Sequence, residues 1–170
     1  MQLRTRVLSA FTLSTAMAFG ATAMAADMPK EGTLSGTYSA AGTFKGTPIG
    51  KERLLTAWDE NGMQLTNGFL DHVTWHCWGL GDFTNGVGQD HGYCVGTDIA
   101  GDQVGLNVSD EKHPLDQKVV SGSFTYTTGT GKYAGISGGG TTIQHGGEFR
   151  TAAEGTYLSY VTFQGSYKLP

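Results

Sequence analysis

Beyond residue 30 the chain alternates small or polar residues with apolar ones at a period near two. No stretch there carries the 3.6-residue stripe of an amphipathic helix. Residues 31–48, EGTLSGTYSAAGTFKGTP, set Leu34, Tyr38 and Phe44 among Gly, Ser and Thr, a strand pattern whose glycines mark bulges or tight curvature. Residues 51–58 carry Leu54, Leu55 and Trp58 and run into Asp59-Glu60-Asn61-Gly62. The Asn-Gly pair predicts a hairpin turn, with a strand returning from Met63. Residues 70–78 form the strongest strand, with Leu70, His72, Thr74, His76 and Trp78 on one face and Asp71, Val73, Trp75 and Cys77 on the other. A glycine-rich loop is predicted over 79–92, then strands at 93–98 and 104–108 around a turn at Ala100-Gly101-Asp102. Residues 109–117, with Pro114, read as a loop. Residues 119–127 alternate, 129–135 turn, and short strands follow at 141–143, 148–153 and 156–167.

Roughly eight short strands separated by turn signals predict an all-β fold. Closure into an antiparallel eight-stranded barrel follows from the strand glycines, which ease sharp coiling, and from the removal of free sheet edges in an exported protein. No multi-residue repeat of a propeller or solenoid occurs. An outer-membrane barrel is the competing all-β reading, but the repeated ten-residue strands with an apolar outer face that it requires are absent.

The first residues change where such a barrel would work. Arg4 and Arg6 precede an apolar run from Val7 to Ala21 that closes on Ala23-Met24-Ala25, the pattern of a secretory signal peptide cleaved after Ala25. The run is too short and too rich in Ala, Ser and Thr for a spanning helix, which needs about 20 strongly apolar residues. Residues 26–170 then form a single β-barrel domain, secreted or periplasmic. The chain of 170 residues has a formal charge of −4, and loss of the two leader arginines makes the remainder more acidic. Nucleic acid and anionic membrane surfaces are poor partners for it, and stable membrane insertion is not expected.

Residues 72–94 concentrate the reactive side chains. They hold both cysteines, three of the five histidines and two of the three tryptophans. In an oxidising compartment Cys77 and Cys94 are expected to bond to each other, worth about 3 kcal/mol across this short loop. Two thiolates on a metal are the alternative, but Cys-x16-Cys lacks a CxxC half-site. His72 and His76, four apart on a strand, would share a face about 13 Å apart, too far for one ion. A metal would need His91, His113, His145 or a carboxylate such as Asp90 from another element, so no metal site and no cofactor is assigned. Asp90-His91 lies in the predicted loop, where His91 could act as an acid or base oriented by Asp90, Asp82 or Asp71. Trp75 and Trp78 point to opposite faces, so one of them can line an interior. Arg53, Glu148 and Arg150 are rare charges within predicted strands, each a polar anchor if turned inward. No GxSxG elbow occurs, and GTGK at 129–132 lacks the spacing of a phosphate loop.

The segment Gly129-Thr130-Gly131-Lys132-Tyr133-Ala134-Gly135-Ile136-Ser137-Gly138-Gly139-Gly140 resembles the GTGKYxGxxGxG stretch of the allene oxide cyclase and dirigent barrel superfamily. Val120 to Phe124 and Tyr157 to Tyr167 fall where that family has strands, so the resemblance covers the last third of the chain. It implies a calycin-like, allene oxide cyclase-like barrel with an apolar interior, often a trimer, that binds a hydrophobic small molecule and guides its cyclisation or coupling. The histidine-tryptophan-cysteine segment matches no motif of those enzymes, and no catalytic residue transfers by position. The expectation is an exported barrel binding a small hydrophobic or aromatic molecule, isomerase- or cyclase-like if catalytic, with His72, Trp75, His76 and His91 at the cavity or its mouth. The alternative is a non-catalytic exported binding or structural protein whose histidines hold a metal.

Overall fold

The computed structural model describes residues 28–66, 68–146 and 153–170. The leader over 1–25 and nearly all of the strand predicted at 148–153 lie outside them. The described strands are β1 (Glu31–Ile49), β2 (Arg53–Thr66), β3 (Val73–Thr84), β4 (Val87–Thr97), β5 (Gln103–Asp110), the two-residue β6 (His113–Pro114), β7 (Val119–Gly129), β8 (Ser137–His145) and β9 (Thr156–Lys168). A 3-10 turn, Gly131–Tyr133, joins β7 to β8. Eight strands are staves, paired in the order β1-β2-β3-β4-β5-β7-β8-β9, and β9 pairs back to β1. Every pair is antiparallel, so the closed eight-stranded barrel expected from the alternation is the fold observed. Among the described residues no helix is long and apolar enough to cross a membrane.

Three local expectations are corrected. The Asn61-Gly62 pair is not a turn: β2 runs straight through it, with Asn61 opposite Ala41 on one side and His76 on the other. Gly62 is there for close packing, since a Cβ would sit 2.2 Å from the Ser39 carbonyl oxygen and 2.4 Å from the Tyr38 ring. The loop predicted over 79–92 is instead a tight hairpin, with β3 continuing to Thr84 and β4 starting at Val87. Its turn is Asn85-Gly86, at φ 53° and 77°, the left-handed pair that a two-residue hairpin demands. The strand expected from Leu70 begins at Val73. Leu70 and His72 have φ of 58° and 55° in the preceding turn, which is tied down by Gln64 Nε2 donating to the Leu70 carbonyl and the Thr66 N–H donating to Asp71.

The two barrel ends differ. At the end that carries the 68–72 turn, the 3-10 turn and the C-terminus, Leu70, Val73, Val104, Tyr126, Tyr133, Ile136, Tyr167 and Leu169 are buried in one cluster. Phe69 stacks on Tyr167 there and meets Tyr133 edge-on. The opposite end carries the 50–52 turn, the Asn85-Gly86 turn and the 111–118 loop, and no such plug forms among the described residues.

Candidate functional site

The interior above the plug is a cavity of about 550 Å³ that reaches this second end, within the ordinary range for a small-molecule site. Its walls come from strict alternation. In β3 Val73, Trp75 and Cys77 face inward while Thr74, His76 and Trp78 face out. In β4 Cys94 is inward and His91 and Tyr93 outward. Cys77 and Cys94 are directly opposed in register and joined by a disulfide, as the compartment argument expected. The bridge lies on the cavity side of the sheet and lines it.

Aromatic rings sit over glycines of neighbouring strands. A Cβ at Gly79 or Gly92 would fall 2.3 or 2.5 Å from the Trp58 indole, and one at Gly96 2.8 Å from Trp75. The bare backbone is therefore what lets Trp58 lie flat against the wall. Trp75 is fixed by its own polar atom, the indole N–H donating to Gln64 Oε1 at 3.1 Å, as a buried indole requires.

Two polar groupings interrupt this apolar lining. The first is Glu60, 7% exposed, which accepts a hydrogen bond from Tyr157 at 2.9 Å. Burial raises its carboxyl above the ordinary glutamate range, against the opposing pull of hydrogen bonds from Tyr157 and Tyr38. Burial and the Glu60 charge in turn push both phenols well above their usual range. A buried carboxyl whose proton affinity is raised, beside two phenols in a largely apolar cavity, can exchange a proton with a bound molecule.

The second grouping is Asp90, Asp110 and His113, whose nearest ligand atoms all lie within 4.8 Å of one another. Asp90 comes from β4, Asp110 from the end of β5 and His113 from β6, which pairs with the start of β4. Thr56 on β2 donates to Asp90 at 3.1 Å. Gly81 leaves the room for both, since a Cβ there would fall 2.2 Å from Asp90 Oδ1 and 2.3 Å from Thr56 Oγ1. Burial raises the Asp90 carboxyl. Burial first, and then the Asp90 charge, push that of Asp110 up to about 7.

Of the four residues expected at the cavity, Trp75 lines it and the three histidines lie outside the barrel. His72 is exposed and bonds Asp71 at 2.7 Å. His76 is exposed on the outer face and bonds Asp59 at 2.8 Å. His91 faces outward against Ser109 Oγ at 3.0 Å. None of the carboxylates proposed to orient His91 touches it. Asp71 bonds His72, Asp82 bonds Arg53, and Asp90, one residue from His91 on the strand, points to the opposite side of the sheet. Arg53 is an outer-surface partner of Asp82 and no interior anchor. Glu148 and Arg150 lie outside the described residues.

The sequence reading passed over Glu60, Asp110, Tyr38 and Tyr157, and named His113 only as a spare ligand. A signal for Glu60 existed. Thr56, Trp58, Glu60 and Gln64 share one strand face, but it was cut in two by taking Asn61-Gly62 for a turn. Asp110 and His113 are brought beside Asp90 only by the β5–β6 return, which no local pattern announces.

No protein-family model matches the chain, and no curated protein matches it in sequence. Two solved structures of similar shape are the pterocarpan synthase dirigent proteins GePTS1 and PsPTS1. The first shares 10% identity with this chain over 85% of it and 90% of the other, at a TM-score of 0.51. The second shares 11% identity over 84% and 97%, at a TM-score of 0.47. The chain has the closed eight-stranded antiparallel barrel fold of the dirigent proteins.

Proposed function

We propose that the protein binds a small hydrophobic, aromatic-rich molecule in the barrel cavity and guides its cyclisation or coupling, with Glu60 as the proton donor. The observation that carries this reading is a buried carboxyl, its proton affinity raised by burial, at the wall of a cavity of about 550 Å³ that aromatic rings also line. Trp58, Trp75, Phe124 and Phe163 supply the faces that would hold a flat ligand. Tyr38 and Tyr157 keep the Glu60 carboxyl aimed and supply hydroxyls to stabilise charge as it develops. Catalysis of this kind rests on restricting a reactive intermediate to one conformer, with the acid timing the bond change. GePTS1 is a pterocarpan synthase dirigent protein by name, and what this chain shares with it is the barrel fold; at 10% identity its substrate is not carried over.

The setting proposed is outside the cytoplasm. The leader-like first residues and the Cys77–Cys94 bridge both support it. The outward residues of β1 and β7 are mainly Thr and Ser, which suits a barrel surrounded by water better than one needing an apolar outer band.

The test is a titration of the purified oxidised protein with polycyclic phenols, followed by tryptophan emission, beside Glu60→Gln and Val161→Trp variants. Val161 lines the cavity, so the tryptophan should fill it and abolish binding. Glu60→Gln should retain binding within about threefold and lose conversion of a reactive phenolic intermediate by 10²-fold or more. Binding with no conversion in either protein would leave a non-catalytic binding protein, and no binding at all would overturn the reading.

A further inference from the structure

We propose that Asp90, Asp110 and His113 form a binding site for one divalent first-row transition cation at the open end of the barrel. The site lines the same cavity as Glu60, nearer its open end. Three observations carry it.

The first is convergence. His113 Nε2 lies 3.7 Å from Asp90 Oδ2. Donors about 2.1 Å from a common tetrahedral centre are about 3.4 Å apart, so small side-chain rotations close the set.

The second is an orphaned atom. His113 is 7% exposed, and its Nδ1–H donates to the Pro114 carbonyl at 2.8 Å. That bond leaves the Nε2 lone pair directed at the carboxylates, buried and without a hydrogen-bond partner. A histidine whose far nitrogen is fixed by a backbone carbonyl has the arrangement that metal-bound imidazoles use to set their tautomer. A buried nitrogen with nothing to bond is costly, and a cation removes the cost.

The third is charge. Two carboxylates meet in an enclosed space, and among the described residues no Lys or Arg forms an ion pair with either. One divalent ion would neutralise both. Support behind the ligands is also built: Thr56 donates to Asp90, while Gly81 and Gly122 leave the spaces that Asp90 and Asp110 fill. The imidazole selects a transition ion over Mg²⁺ or Ca²⁺, and two oxygens with one nitrogen suit Zn²⁺, Mn²⁺, Fe²⁺ or Co²⁺. The remaining coordination positions face the cavity.

The experiment uses the full oxidised protein, dialysed against chelator and titrated calorimetrically with Zn²⁺ and separately with Mg²⁺. The expected result is one Zn²⁺ per chain and binding of Mg²⁺ at least 100-fold weaker. Asp110→Asn and His113→Gln should each weaken Zn²⁺ by 100-fold or more, and Gly81→Ala by about tenfold through displacement of Asp90. His76→Ala, which alters an outer-face histidine, should leave affinity unchanged. Because a buried variant can lose its fold, a second readout uses wild-type protein alone. One equivalent of Co²⁺ should partly quench tryptophan emission, since the Trp58 indole interacts with Asp90. No stoichiometric Zn²⁺ binding, no Co²⁺ quenching, or Zn²⁺ binding lost in His76→Ala but kept in folded His113→Gln would each overturn the assignment.

Discussion

Replacing Cys77 and Cys94 together by alanine tests how much of the barrel's stability comes from one covalent tie. The bridged residues are 17 apart in sequence, and closing a loop of about that length in the unfolded chain is worth about 3 kcal/mol. Cavity formation adds little, because both sulfurs already border the interior space and their loss enlarges it without opening a sealed void. For a barrel of this size that loss should lower the melting temperature by about 10 °C. Urea unfolding of oxidised protein and the double variant measures it directly. The midpoint should fall, and the slope should rise as the untied unfolded chain exposes more surface. The opposing effect is local: Cys77 and Cys94 sit in a hairpin closed by Asn85-Gly86, and an unfolded chain that kept that hairpin would gain little from the tie. A loss below about 1 kcal/mol with an unchanged slope would refute the entropic argument.

Other outcomes follow from the packing and charges described. Gly62→Ala drives a methyl group into the Tyr38 ring and the Ser39 carbonyl and should cost about 2 kcal/mol or more in urea unfolding. Gly86→Ala meets no atom within 4 Å but must hold φ at +77°, and should cost only about 1 kcal/mol. Glu60 binds its proton more tightly folded than unfolded, so wild-type stability should fall as pH rises from the ordinary glutamate value of 4.5 through its raised folded value. Glu60→Gln should remove that part of the slope. Tyr38 and Tyr157, which face Glu60 from β1 and β9, titrate far above this window, and Asp110, whose carboxyl the Glu60 charge helps to raise, adds a slope of the same sign that weakens in Glu60→Gln. His76→Ala breaks an exposed pair with Asp59 and should change stability by less than about 0.5 kcal/mol.

The barrel was legible because alternation is a local property. Each stave that alternates visibly in sequence, such as Val119–Gly129 with its inward Val120, Phe124 and Tyr126, is a stave in the structure. The disulfide was legible because a chain with leader-like first residues and two cysteines offers each cysteine one partner. Glycines caused the misreadings. Gly62, Gly79, Gly81 and Gly92 read locally as turns or loop, yet each is a strand residue that makes room for a side chain on a neighbouring strand. That function depends on register, which pairs residues distant in sequence, and a window of ten residues carries no trace of it. Apart from Trp75, the residues lining the cavity were less legible for a related reason. His72, His76 and His91 drew attention by crowding together in sequence, whereas Glu60, Tyr38 and Tyr157 meet only because β1 lies between β2 and β9.

The glycines also explain why the interior is a cavity at one end and a plug at the other. A stave of eight bulky inward residues would fill a barrel of this strand number. At the plugged end the inward positions and the capping turns do carry bulk, with Tyr126, Tyr133, Ile136, Tyr167 and Leu169 buried in one cluster. Toward the open end, with Phe83 the bulky exception against His113, the inward positions of β3 and β4 include Gly79, Gly81, Gly88 and Gly92. Their missing side chains let Trp58 flatten against the wall and let Asp90 turn inward beside Thr56. Space and polarity are thus produced by the same substitutions: a wall of glycines admits the ring that would grip a flat ligand and the carboxylate that no packed core would accept. The polar face of β2, Thr56, Glu60 and Gln64, runs along this space from mouth to floor. Gln64 is spent on Trp75 and the Leu70 carbonyl at the floor, and Thr56 on Asp90 at the mouth. Glu60, midway and bonded by the Tyr157 phenol, is the member of that row through which the proposed proton transfer would run.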